Sequence, residues 1–88
     1  MTYRVAILSA ALKQLAELTK HDQRRIRQRI DALATDPRPP GAKALQGKSN
    51  GLFRVRVGDY RVVYTIQQSR LLVLVIRIAH RGDVYRGM

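Results

Sequence analysis

Residues 2–8 alternate Tyr3, Val5 and Ile7 with Arg4 and Ala6, the period-two pattern of a half-buried strand. The period then lengthens. Leu12, Leu15 and Ala16, flanked by Ala11 and Leu18, form an apolar stripe that predicts a helix over about 10–18, with Ser9 as its N-cap. Thr19-Lys20-His21 is a short link, so a second helix packs beside the first. That helix starts near Asp22, another capping candidate, and aligns Ile26, Ile30 and Leu33 on one face, with Arg24, Arg25, Arg27 and Gln28 on the other. Asp36-Pro37 ends it, because the residue before proline avoids the helical region, and Pro37-Arg38-Pro39-Pro40-Gly41 forms a stiff connector.

The remainder is rich in Val, Ile, Leu, Tyr and Phe. Strands are predicted at 52–57, 60–67 and 71–79, separated by Gly58-Asp59 and by a turn at Gln68-Ser69 or slightly longer, with a short extended piece around 43–46. The order β-α-α followed by three or four strands is that of a two-layer α+β fold, with the helix hairpin on one face of an antiparallel sheet. At 88 residues the chain is expected to be one domain, 1–88, since a chain this short cannot supply two cores.

A two-residue loop at Gly58-Asp59 sets Val57 opposite Tyr60, Val55 opposite Val62 and Phe53 opposite Tyr64, an apolar face. On the reverse face Arg56 opposes Arg61, with Arg54 diagonal to both, and no acidic residue in either strand offsets them. Like charges directly opposed are destabilising. The excess is global as well: 17 Lys plus Arg against 6 Asp plus Glu give a net charge of +11, and 13 of the 17 are arginine. Arginine pairs with phosphate in a planar, bidentate way, so the cluster reads as a phosphate cradle and the partner as a polyanion.

The strand 71–79 delivers His80, Arg81 and Tyr85 beside this cluster. A two- or four-residue turn after Gln67 gives His80 the face of Arg61, whereas a three-residue turn or a bulge gives that place to Arg81. Tyr85 offers a ring that can stack on a nucleobase. The chain has no cysteine, which excludes disulfides, Cys-type zinc sites and thiol catalysis. Its scattered carboxylates and two distant histidines give no metal-ligand spacing, so neither metal nor other cofactor is expected. Metal-free cleavage is easiest on RNA, whose 2′-hydroxyl is the nucleophile; arginines stabilise the phosphorane, and histidine is the side chain that titrates near neutrality.

LFRVRVGDYRVVY at 52–64, IAHRGDVYR at 78–86 and the DPRPPGAKALQG connector at 36–47 together resemble the RelE group of the RelE/ParE toxin superfamily, over essentially the whole chain. The resemblance implies a curved sheet, metal-independent mRNA cleavage in the ribosomal A site and a RelB-like antitoxin that wraps the toxin in a hetero-oligomer. It implies a cytoplasmic toxin, monomeric when free, whose other partners are mRNA and rRNA. The family's functional positions fall on Arg54, Arg56, Arg61, Arg81 and Tyr85: Arg61 and Arg81 at the scissile phosphate, Arg81 also as acid, Tyr85 stacking on a base. Where the family commonly has a lysine as base, this chain has Arg56, which does not give up a proton. His80 is the alternative base. A ParE-like inhibitor of DNA gyrase and a non-catalytic nucleic-acid binder are the competing readings of the same fold. If His80 is the base, His80→Gln lowers ribosome-dependent cleavage by about 10²-fold or more.

Overall fold

A computed structural model describes residues 2–45 and 51–80. In chain order the elements are β1 (Arg4–Ile7), α1 (Ser9–Ala16), α2 (Lys20–Ala32), β2 (Lys43–Ala44), β3 (Leu52–Val57), β4 (Tyr60–Gln67) and β5 (Leu72–His80). The expected two-layer α+β arrangement is present. The five strands form one sheet in the order β1-β5-β4-β3-β2. All neighbours are antiparallel except β1, which runs parallel to β5 at the edge, Arg4 beside Leu72 and Ile7 beside Val75. After β1 the helix pair carries the chain across one face of the sheet to β2 at the opposite edge.

Both predicted N-caps shift. Ser9 is already helical and Leu8 precedes it with extended backbone and no side-chain cap, its N–H donating instead to the Val75 carbonyl at 2.9 Å. Ordering by the sheet edge replaces a polar cap. For α2 the cap is Thr19, whose hydroxyl accepts the Asp22 N–H at 3.2 Å. Asp22 therefore lies in the first turn, where a carboxylate suits the positive end of the helix dipole.

The core lies between helices and sheet. Ala11 and Leu15 of α1 and Ile26, Ile30 and Leu33 of the α2 region bury against Val55, Val62, Tyr64, Val73, Val75 and Ile78. Tyr64 also fixes the connector. Its hydroxyl donates to the Pro37 carbonyl at 2.7 Å, and its ring stacks on Phe53 with centroids 5.8 Å apart. Arg38 lies 5.4 Å over the Phe53 ring. The stiff segment after α2 is thereby tied to the middle of the sheet.

Burial raises the Tyr64 phenol above its ordinary 10.0; Arg29 and Arg38 pull it down and Asp36 pushes it up, but burial prevails. Because the folded state holds this proton more tightly, the contribution is complete below the unfolded value and is lost as pH rises from there through the folded value. Tyr64→Phe is expected to cost about 1–2 kcal/mol in urea unfolding at pH 7 and to flatten the loss of stability above about pH 10.

Candidate nucleic-acid interface

The β3–β4 hairpin has the predicted register: Val57 opposite Tyr60, Arg56 opposite Arg61, Val55 opposite Val62 and Phe53 opposite Tyr64. Gly58 takes φ +59° at the first central position of the turn, as a type II′ hairpin needs, and a Cβ there would meet the Arg25 guanidinium at 3.1 Å. Alternation sends Val55, Val62 and Tyr64 to the helices. It sends Arg54, Arg56 and Arg61 to the open face.

By register two further residues share this face, although Arg77 also lines the hollow that holds His80. Lys43 of β2 pairs with Arg54, and Arg77 of β5 pairs with Val63, which in turn faces Arg54. Val63 is fully buried although it lies on the open face, so it forms an apolar floor between the two arginines. Gly41, Lys43, Arg54, Arg56 and Arg61 line a hollow of about 290 Å³. None of the five strands contains Asp or Glu. Arg56 Nε donates to the Gly58 carbonyl at 3.1 Å, which braces it along the turn. Arg61 is tighter: its Nε and one Nη are buried and find no hydrogen-bond partner among the described residues. Such donors cost free energy until an acceptor arrives.

His80 is not in this hollow. The turn after Gln67 has four residues, with the helical turn Gln68–Arg70 followed by Leu71 at φ +49°, and Gln67 pairs with Leu72. Unbroken pairing from there would give His80 the face of Arg61. Instead the register jumps between Val63–Arg77 and Tyr64–Val75, leaving Ile76 as the extra residue of a β-bulge. Every later side chain of β5 changes face. Ala79 comes to lie opposite Arg61 and His80 opposite Tyr60, the two rings meeting edge to face at 5.8 Å. Of the two outcomes open from sequence, the bulge occurs, and His80 joins Gln14, Glu17 and Leu18 around a separate hollow at the end of α1. Gln14 Oε1 accepts the Ile78 N–H at 2.8 Å, just beyond the bulge. Arg81 and Tyr85 lie outside the described residues.

The family model of the ParE toxin of the parDE type II toxin–antitoxin system matches residues 5–85. This chain is a toxin of the RelE/ParE superfamily. Among its relatives, the toxin RelE of Mycobacterium tuberculosis is 35% identical over 85 residues, covering 96% of this chain and 87% of the relative. The putative toxin RelE1 of Methanocaldococcus jannaschii is 29% identical over 99% of both chains. The RelE–RelB complex of Pyrococcus horikoshii contains a chain that superposes with a TM-score of 0.81, at 33% identity over 94% of this toxin and 99% of that chain.

Sequence periodicity gave no role to Lys43, Gly41 or Arg77 in this toxin. Lys43 could have been found by extending the short piece around 43–46 as a strand against β3. Arg77 could not, because its face depends on the bulge.

The strain at Arg61 generates a stability prediction. Arg61→Met keeps the aliphatic stem while removing the buried donors and the like charge opposite Arg56. In low-salt, phosphate-free buffer it is expected to raise stability by about 1 kcal/mol, a Tm gain of about 4–8 °C. Adding inorganic tripolyphosphate should raise the Tm of the wild type and leave that of the variant nearly unchanged; scanning calorimetry measures both.

Proposed function

We propose that this toxin is a ribosome-dependent endoribonuclease that cleaves mRNA in the A site. The reading is carried by one observation: Arg56 and Arg61 stand directly opposed on a sheet face whose strands hold no carboxylate, with Arg54 in the same hollow. Three guanidiniums gathered there suit the extra charge of a phosphorane. Arg56 and Arg61 hold the scissile phosphate, and Arg54 contacts the adjacent backbone. By resemblance, Arg81 neutralises the same phosphate and Tyr85 stacks on a base. The ribose 2′-hydroxyl is the nucleophile, so no metal-bound water is required. Arg56 acts by charge alone, since guanidinium does not surrender a proton.

The Pyrococcus horikoshii relative is found with RelB, which supports a RelB-like antitoxin as this toxin's partner in a hetero-oligomer. An acidic segment of such a partner would complement a chain of net charge +11. No helix among the described residues is long and apolar enough to cross a membrane.

Primer extension on a message translated in a purified ribosomal system tests the reading. The wild type is expected to give discrete cuts, Arg61→Met to lose about 10²-fold or more in rate, and His80→Gln to stay within about threefold because its ring lies on the opposite side of the sheet. Since Arg61→Met is also expected to be the more stable protein, its loss of activity is not explained by unfolding. The match to the ParE family makes gyrase inhibition the contrary result: intact message and a DNA-damage response on expression would overturn the nuclease reading.

A further inference from the structure

We propose that Arg25 and Arg29 of α2 hold a second phosphodiester of bound RNA, across the Gly58 turn from the Arg56–Arg61 cradle. The site rests on the nuclease reading for its ligand class and adds an anchoring contact to it. Both arginines, with Gln28, Ala32 and Val57, line a separate hollow of about 290 Å³ on the helix side of the sheet. They lie four residues apart on one helix, where side chains are neighbours and like charges repel. α2 carries five Lys and Arg against two Asp, so little within the helix offsets that repulsion. The Arg29 Nε is buried and finds no hydrogen-bond partner among the described residues, a donor that costs free energy until an acceptor reaches it.

Position relative to the first cradle favours RNA as the ligand. Arg56 and Val57 are adjacent in β3, so alternation sends one to each hollow. Gly58 joins the two. Its carbonyl accepts from Arg56 Nε at 3.1 Å, and a Cβ on it would meet the Arg25 Nη atoms at 3.1 and 3.3 Å, so glycine lets the Arg25 guanidinium rest against the turn. The way between the hollows is open at the edge of the sheet. β2 pairs only with Phe53 and Arg54, and among the described residues no strand pairs along the outer edge of 55–57. A message strand gripped by Arg56 can pass around this edge and present a further phosphate to Arg25 and Arg29, whose planar forks pair with phosphate in a bidentate way. Ribosomal RNA offers the same chemistry, and the test below separates the two sources.

Arg25→Gln with Arg29→Gln is compared with Arg24→Gln with Arg27→Gln, which removes the same charge from exposed positions of α2 that do not line the hollow. Cleavage is followed on programmed ribosomes as toxin concentration is varied. The first pair is expected to raise the half-saturating toxin concentration at least about tenfold, with the maximal rate within about threefold of wild type, and to reduce the slope of log affinity against log salt by about one. Arg25→Gln alone, at an exposed position that leaves the half-buried Arg29 in place, should raise it at least about fourfold. The Arg24 and Arg27 pair should stay within about twofold.

Binding to vacant ribosomes, and to ribosomes holding a 2′-O-methyl, uncleavable message, assigns the phosphate. A deficit in both supports a site for ribosomal RNA, and one confined to the programmed state supports a site for the message. No deficit from Arg25→Gln, or an equal deficit from the Arg24 and Arg27 pair, would overturn the site. So would a loss confined to antitoxin binding, which would mark the hollow as a seat for an acidic protein segment. A wild type that binds ribosomes without cutting the message, with the binding deficit of the Arg25 and Arg29 pair intact, would overturn the nuclease reading and uphold the site.

Discussion

The register of the β3–β4 hairpin is the constraint on which the rest depends. Gly58 at φ +59° allows a two-residue turn, and the turn fixes which residues face each other. A slip by one residue would send Arg54, Arg56 and Arg61 into the space now filled by Val55, Val62 and Tyr64. Each of those apolar side chains contributes about 1.5–3 kcal/mol on burial, while opposed like charges cost up to about 1 kcal/mol per pair. Core packing therefore wins, and it drives the guanidiniums together on the far side. The charge cluster follows from the same alternation that builds the core.

The bulge at Ile76 is the second decisive feature. It reverses the facing of β5 beyond Val75, brings Arg77 to the open face and takes His80 to the helix side, where Tyr60 and α1 receive it. Gln14 braces the strand just past the bulge by accepting the Ile78 N–H. One inserted residue thus separates the imidazole from Arg54, Arg56 and Arg61. Among the described residues, the hollow on this face is lined by three guanidiniums and the ammonium of Lys43. That combination suits the binding of phosphate.

Much of this was legible in the residues. Gly58-Asp59 between two alternating runs determined the hairpin and all four of its predicted pairings. The i, i+4, i+7 spacing of Ile26, Ile30 and Leu33 identified the buried face of α2. Other features have no local signal. Val73 to Ile76 is apolar at every position, so period two cannot reveal an extra residue within it. The parallel pairing of β1 with β5 joins segments more than sixty residues apart, and nothing in either states the partner. Lys43 sits in a strand of two residues, too short for any periodicity. The caps shifted because tertiary contacts, not side-chain preference alone, set where each helix begins.

The arginine cradle is tested most directly by NMR titration of the toxin with a short 2′-O-methyl RNA, following the Hε–Nε resonances of each arginine. Arg54, Arg56 and Arg61 are expected to shift together and saturate at one RNA concentration, with Arg24 and Arg27 on the exposed face of α2 unmoved. Shifts confined to α2, with the three sheet resonances unchanged, would contradict it.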